Sequence, residues 1–175
     1  MHACLRLFTS RVLRVPRFAP SEPMLNVVLV EPEIPPNTGN VGRLCLATGA
    51  RLHLVKPLGF SIDDRALRRA GLDYWRDVDV KLWDSLDELF AAAESDARFF
   101  FLTTKAKRAY WDERFQDGDF LVFGRETKGL PEPLLAERAE SCVTIPMTGS
   151  TRSLNLATAV GIVLYEAIRL IARSA

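Results

Sequence analysis

The chain alternates short, strongly apolar runs with segments of helical periodicity, and this alternation restricts its fold more than any other feature. The runs are rich in Val, Leu and Phe and have the length of buried strands. They lie at 25–30, 51–55, 98–102, 119–123 and 141–145. The helical patterns lie at 38–48, 63–70, 84–94, 131–139 and 153–173. Strands alternating with helices predict an α/β fold, with a mainly parallel sheet and helices on both faces.

The composition is that of one ordinary globular domain. The chain has 175 residues, of which 48% are hydrophobic, and no apolar run approaches the roughly 18 residues of a membrane span. Its cysteines, Cys4, Cys45 and Cys142, have no C-x-x-C spacing, and His2 and His53 are not near them in sequence. This pattern argues against a zinc site or a disulfide framework. It favours a reducing compartment, so we expect a cytoplasmic protein.

The first 23 residues differ in charge from the rest of the chain. They hold four arginines and one glutamate, which leaves 19 basic and 21 acidic side chains in the remainder. A near-neutral body gives no general sign of nucleic-acid binding, so any RNA site must be a local basic patch. The leader could be a disordered tail, an organellar transit peptide or a misassigned start. We favour disorder or a misassigned start, with the domain at 24–175.

The loops that follow the predicted strands concentrate Gly, Pro, Thr, Asn and Arg. They lie at 31–43, 103–108, 124–131 and 146–155. In open parallel sheets, ligands bind beyond the carboxyl ends of the strands, where such loops converge. Loops so rich in specific polar groups are better explained by function than by packing.

Each residue of these loops, taken alone, has an ordinary structural interpretation. Asn37 could be a helix N-cap, and Arg43 a solvated arginine one turn into that helix. The glycines of 39–42 could form a phosphate loop, although the dinucleotide and P-loop patterns are absent. Gly124 could end a strand where a ligand approaches the backbone, and Glu126 could be a surface carboxylate.

The last loop leads into a long helical pattern. Ser153 could be the N-cap of this helix, whereas Asn155 in the first turn has no helix-forming reason and favours a polar contact. An apolar stripe continues along the helix and indicates core or a dimer surface rather than a cofactor site. Its residues are Leu154, Ala157, Val160, Leu164 and Ile168.

Taken together, three runs resemble the signature motifs of the SPOUT RNA methyltransferases. They read PPNTGN-x-x-R, FG-x-E-x-x-GLP and IPM-(x5)-SLNL, in this order. The segments KPLGFSIDDRALRRAGLDYW (56–75) and LTTKAKRAYW (102–111) are similar to the tRNA wobble-nucleotide 2'-O-methyltransferase branch, the TrmL or YibK type. The resemblance extends from Met24 to about residue 170. It implies a carboxyl-terminal trefoil knot, which general folding rules rank as nearly absent.

The resemblance also implies an activity and its site residues. The reaction is methylation of the ribose 2'-hydroxyl of the wobble nucleotide, C or modified U, of leucine tRNAs, with S-adenosylmethionine as the methyl donor and no metal. The implied catalytic residues are Asn37, Arg43, Glu126, Ser153 and Asn155. The implied donor-binding residues are Leu102, Thr103, Gly124, Ile145, Met147, Ser153 and Leu154.

In this family the tRNA is bound across a homodimer, so the basic patch on each chain can be small. The candidate RNA-binding residues are Arg65, Arg68, Arg69 and Arg76 on one segment and Lys105, Lys107 and Arg108 on another. Solvated charged faces are the ordinary alternative for such runs.

Arg43 is expected to orient the 2'-hydroxyl and to stabilise developing oxyanion charge, because a guanidinium is a poor proton acceptor at neutral pH. Asn37 and Asn155 are expected to fix the ribose or Arg43, and Glu126 to pair with a basic neighbour. Two alternatives stay open: a SPOUT enzyme for another tRNA or rRNA position, and a non-catalytic RNA-binding protein with the same knot.

Overall fold

The computed structural model describes residues 25–61 and 73–174. Within these residues the chain forms one parallel sheet and four α-helices, which confirms the α/β prediction. The strands are β1 (Asn26–Val30), β2 (Arg51–Val55), β3 (Val80–Trp83), β4 (Phe99–Leu102), β5 (Phe120–Phe123) and β6 (Cys142–Val143). The helices are α1 (Pro35–Thr48), α2 (Leu86–Ala92), α3 (Glu132–Glu137) and α4 (Leu156–Ser174). Short 3-10 turns lie at Asp73–Asp77, Tyr110–Asp112 and Ala139–Ser141.

The strand order places the polar loops side by side. The sheet runs β3-β2-β1-β5-β4-β6, and its paired strands are parallel. The loops after β1, β5, β4 and β6 therefore leave the sheet at the same edge, from four adjacent strands. The trefoil knot implied by the resemblance stays a prediction, since strand order and register do not define a knot.

The core has one layer on each face of the sheet. On one face, the alternate β1 residues Val27 and Leu29 pack with α1 and α4, and on the other Val28 and Val30 pack with α2 and α3. Strands buried on both faces need continuous apolar runs, and β1 supplies one. The middle of the α4 stripe, including Val160 and Leu164, is fully buried in the first layer. Of the two interpretations, core and dimer surface, core is confirmed for the middle of the stripe, while Leu154 and Ile168 at its ends are half-buried.

Several expected boundaries need correction. α1 begins at Pro35, so Asn37 lies inside the helix and does not cap it. α4 begins at Leu156, and the side-chain oxygen of Asn155 accepts a hydrogen bond from the Thr158 amide at 3.3 Å. Asn155 therefore has the capping role that was expected of Ser153. In contrast, the Ser85 hydroxyl accepts from the Glu88 amide at 3.1 Å, as its spacing predicts.

Two further differences concern whole elements. The expected helix at 63–70 lies outside the described residues. Strand β3 was missed, because its sequence Val-Lys-Leu-Trp lacks an apolar run. β3 is an edge strand that pairs with β2 alone in this sheet, and its central Lys81 and Leu82 are exposed. An edge strand needs less apolar surface than a central one, so its sequence signal is weak.

A buried polar chain ties β3 to the middle of the sheet. The Trp83 indole donates to Nδ1 of His53 at 2.9 Å, so Nε2 of His53 carries the proton and donates to Oδ1 of Asn26 at 3.0 Å. The Asn26 side-chain amide donates to the Gly118 carbonyl at 3.0 Å. This arrangement requires a neutral imidazole. Burial, followed by the charges of Arg51 and Lys81, lowers the pKa of His53 to about 4.

Acid should therefore destabilise the fold through His53. An unfolded histidine binds a proton near pH 6.5, whereas the folded one resists it until about pH 4. Stability is thus fully present above pH 6.5 and falls as the pH drops from 6.5 to 4, by on the order of 3 kcal/mol. Urea unfolding at several pH values measures this loss. His53→Gln cannot titrate, and an equally steep loss in that variant would contradict the assignment.

Candidate active site at the carboxyl edge of the sheet

Glu126, which lies just after β5, joins two loops at the carboxyl edge. Its Oε2 accepts from the Glu33 amide at 2.9 Å. Its Oε1 accepts from the Ile34 amide at 3.2 Å and from the side-chain amide of Asn37 at 2.9 Å. Three N–H groups therefore share one carboxylate, and they hold it in a fixed orientation. The expectation that Glu126 pairs with a basic neighbour is wrong, because these amides are its partners.

The same chain of hydrogen bonds continues to the start of α4. The side-chain oxygen of Asn37, which is 6% exposed, accepts from Nδ2 of Asn155 at 2.9 Å. Since the other oxygen and nitrogen positions of these amides are also bonded, the network fixes which way each amide points. Glu126, Asn37 and Asn155 come from three separate motifs and form one continuous network. The two asparagines thus bind each other, and neither contacts Arg43 in it.

Residues on either side of Glu126 strengthen this connection. The guanidinium of Arg125 lies 2.6 Å from a carboxylate oxygen of Glu31. The amide and hydroxyl of Thr127 donate to Oε2 of Glu33 at 3.1 and 2.7 Å. The Thr127 hydroxyl lowers the pKa of Glu33, so this carboxylate stays ionised. Sequence reasoning missed these four residues, although alternating charge in the two loops was a visible signal.

Arg43 and Ser153 lie outside this network. Arg43 is six residues after Asn37, about 9 Å further along α1, and its guanidinium lies 4.5 Å from the centre of the Tyr74 ring. Ser153 is exposed, and its backbone carbonyl accepts from the Thr151 hydroxyl. The structure therefore brings together three of the five expected catalytic residues.

The expected donor-binding residues surround the ends of three adjacent strands. Leu102 ends β4 opposite Phe123 of β5 and Val143 of β6, and the Thr103 amide donates to the Val143 carbonyl at 3.0 Å. Half-buried apolar side chains line the following loops at Ile145, Met147 and Leu154. Strand-end backbone groups beside apolar side chains suit an adenosine with a polar tail. These residues fit S-adenosylmethionine.

Gly124 has a structural reason to be a glycine, besides the expected approach of a ligand to its backbone. It is buried, and a Cβ atom there would overlap the backbone of Gly129 and Leu130. Gly129 has φ +69 and its amide donates to the Arg125 carbonyl at 2.9 Å, which closes a tight turn. The chain itself therefore fills the space beside Gly124, and this turn holds Glu126 at the strand end.

The suggested phosphate loop at 39–42 is also wrong. Gly39 and Gly42 lie within α1 and are buried. Amides in the middle of a helix are bonded to its own carbonyls and cannot cradle a phosphate.

The candidate RNA-binding residues on 105–108 are partly engaged. Lys105 pairs with Glu132, and Arg108 pairs with Glu113 at 2.6 Å and donates to the Glu140 carbonyl. Lys107 is exposed beside them. Arg76 is exposed in the turn Asp73–Asp77, while Arg65, Arg68 and Arg69 lie outside the described residues.

In 25–61 and 73–174, no group of three or more His, Cys, Asp or Glu side chains is placed to hold a metal ion. Over the same ranges, no helix has the length and apolar character that crossing a membrane requires.

Known proteins of similar sequence cover most of the chain. The model of the SpoU rRNA methylase family matches residues 24–165. The tRNA (cytidine(34)-2'-O)-methyltransferase of Escherichia coli K12 is 52% identical over 147 residues, which are 83% of this chain and 93% of that protein. The enzyme of the same name from Burkholderia pseudomallei is 52% identical over 149 residues, 83% of this chain and 95% of that protein.

Solved structures agree with the sequence relatives. A structure from work on the 2-OH methylation of C/U34 on tRNA has 48% identity and a TM-score of 0.79, and the match covers 84% of this chain and 95% of that one. The SpoU methyltransferase AviRb from Streptomyces viridochromogenes, solved with AdoMet, has 26% identity and a TM-score of 0.71, over 85% of this chain and 58% of that one. On its matched residues, its fold and its motif network, the chain belongs to the SpoU methylase family, whose members are methyltransferases that use S-adenosylmethionine.

Proposed function

We propose that this protein methylates the ribose 2'-hydroxyl of the wobble nucleotide, C or modified U at position 34, of leucine tRNAs. The network that joins Glu126, Asn37 and Asn155 carries the proposal. It links the three motif loops at the edge where α/β sheets bind ligands. A protein that only bound RNA would not need these side chains to be aligned beside a donor site.

The names of the relatives support the choice of nucleotide 34 as the site of methylation. Proteins about half identical to this chain over 83% of its length carry the name tRNA (cytidine(34)-2'-O)-methyltransferase. The family model is described as an rRNA methylase, so a ribosomal substrate is the second candidate. We favour tRNA because the match covers nearly the full length of the relatives named tRNA methyltransferases. We favour leucine tRNAs because the wobble-nucleotide branch that the chain resembles acts on them.

The methyl donor gives the reaction its chemistry. S-adenosylmethionine, when bound, supplies a methyl group on a positively charged sulfur. The strand ends at Leu102, Thr103 and Ile145 would hold it through backbone groups and apolar contacts. Met147 and Leu154 would cover it and exclude water. Excluding water strengthens the electrostatic contacts within the site.

The chain's own task is alignment and charge stabilisation. Arg43 would donate to the 2'-oxygen and stabilise its developing negative charge, as a guanidinium is suited to do. Asn37 and Asn155 are neutral amides, and Glu126 already accepts three N–H groups, so we assign this network to positioning. Ser153 would contact donor or substrate from its exposed loop. Lys107 would bind backbone phosphate, which requires no built pocket.

Mapping of the methylated nucleotide tests the identity of the substrate. Purified protein with labelled S-adenosylmethionine should methylate leucine tRNA from a strain lacking the modification, and the label should map to the 2'-oxygen of nucleotide 34. An otherwise identical RNA with a 2'-deoxy nucleotide at position 34 is the matched control and should take up no methyl group. Label at another tRNA position, or in ribosomal RNA, would replace the proposal with the second candidate.

We also propose that the protein works as a homodimer in the cytoplasm. α1 and α4 pack together, and each leaves a large apolar side chain exposed, Leu46 at 40% and Tyr165 at 52%. A second copy of the chain would cover these side chains and extend the surface for tRNA. The reducing cytoplasm suits a tRNA enzyme in which the described cysteines, Cys45 and Cys142, are free and buried.

Light scattering should therefore give twice the 19.6 kDa of one chain at micromolar concentration. Tyr165→Asp should shift the mass towards one chain, because it buries a charge in the proposed interface. Leu82→Asp on edge strand β3 changes a side chain of similar exposure, 45%, and should leave the mass unchanged. A wild-type mass of one chain would rule the dimer out.

A further inference from the structure

Arg43 is exposed, yet its guanidinium has a defined neighbour. It lies over the ring of Tyr74, 4.5 Å from the ring centre. A free arginine side chain loses about 2 kcal/mol of conformational entropy when it is fixed in one orientation. A guanidinium that rests on an aromatic ring is already partly immobilised before the substrate binds. Binding the substrate therefore costs less conformational entropy.

Tyr74 is itself held against α1. Its hydroxyl donates to the Gly39 carbonyl at 2.9 Å. Gly39 precedes Arg43 by four residues, so the two lie on the same face of the helix, one turn apart. The tyrosine therefore lies along this face, with its hydroxyl at one turn and its ring at the next.

The neighbouring residue fixes the same turn more deeply. Trp75 is 9% exposed and packs against Gly42, where an added Cβ would lie 2.6 Å from the indole ring. The turn Asp73–Asp77 thus contacts α1 through two aromatic side chains with separate partners. Trp75 packs in the hydrophobic core, whereas Tyr74 contacts the guanidinium of Arg43.

We infer that Tyr74 is the positioning residue for Arg43. Its ring holds the guanidinium in place, so that the N–H groups of Arg43 can meet the 2'-oxygen of the substrate. The ring's negative face also attracts the positive charge of the guanidinium, which keeps it beside the ring. This inference rests on the proposed function, which assigns Arg43 to the 2'-hydroxyl.

Two substitutions distinguish the contribution of the Tyr74 ring from that of the Tyr74 hydroxyl. Tyr74→Phe keeps the ring and should retain kcat within about twofold. Tyr74→Leu keeps apolar bulk but removes the aromatic face, and kcat should fall at least about 10-fold, since a loose catalytic group is costly. The KM for tRNA and the affinity for S-adenosylmethionine should change little. Trp75→Phe is the matched control: it should lower the melting temperature and keep kcat.

A spectroscopic readout does not depend on activity. In protein labelled with ¹⁵N-arginine, the ring current of Tyr74 should shift the Arg43 Nε–H resonance upfield, in the wild type and in Tyr74→Phe. The shift should vanish in Tyr74→Leu. An Arg43 resonance unchanged by Tyr74→Leu, or wild-type kcat in that variant, would overturn the inference. If the wild type methylates no RNA, the proposed function fails, and the resonance alone decides whether Tyr74 holds Arg43.

Discussion

Arg43→Ala should reduce methyl transfer to tRNA by at least about 100-fold, the usual effect of removing one oxyanion-stabilising donor. Its affinity for S-adenosylmethionine should change by less than about twofold. The physical reason is location: Arg43 lies on α1, whereas the proposed donor site lies at the ends of β4, β5 and β6. Single-turnover kinetics measure the transfer step, and calorimetry measures donor binding.

Two controls sharpen this test. Arg43→Lys keeps the charge but loses the planar donor geometry, and it should recover less than about a tenth of wild-type activity. Arg173→Ala removes an exposed arginine from the last turn of α4 and should leave the transfer rate unchanged. Loss of donor binding in Arg43→Ala would move Arg43 to the donor site, and wild-type turnover would remove it from catalysis.

Glu126→Gln should both destabilise the protein and slow methyl transfer. The carboxylate accepts the amides of Glu33 and Ile34 and the side chain of Asn37, whereas glutamine presents one oxygen and one NH₂ group to these three donors. Unmatched donors and the lost charge should cost about 2–4 kcal/mol. Asn37 and Asn155 would lose their fixed orientation, so transfer should fall at least about 100-fold.

Urea unfolding and single-turnover kinetics check both parts of this prediction. Glu94→Gln, a change of the same chemistry at an exposed position after α2, should alter neither. If Glu126→Gln unfolds at the wild-type urea concentration, the hydrogen-bond network does not support the edge of the sheet. If it unfolds early but keeps wild-type turnover at low temperature, the network is structural and does not position the reaction.

The buried strands could be predicted because each carries its signal within a few residues. The runs that became β1, β2, β4, β5 and β6 are apolar enough to be buried on both faces. β3 was missed because Lys81 and Leu82 face solvent at the sheet edge. Ser85 was a correct cap because its partner Glu88 is three residues away. Local patterns predict what local contacts decide.

The predicted helix starts were wrong where a residue distant in sequence competes with a local hydrogen-bond partner. Asn37 has the side chain of an N-cap, yet its amide binds Glu126, 89 residues further along the chain. Asn155 does cap α4, and its other end binds Asn37, 118 residues earlier. Capping preference alone predicts that Asn37 is an N-cap. It takes no account of a hydrogen bond to a loop that is distant in sequence and lies nearby only in the folded protein.

The sequence by itself determined the fold class, the loops that form the site and, through motif resemblance, the family. Only the tertiary structure decided that three amides share Glu126, that Gly124 makes room for its own chain, and that Arg43 rests on Tyr74. Burial in a strand depends on the residue and its immediate neighbours. Hydrogen bonds and ring contacts at a site depend on distances between strand ends, which the order β3-β2-β1-β5-β4-β6 sets once the sheet has formed.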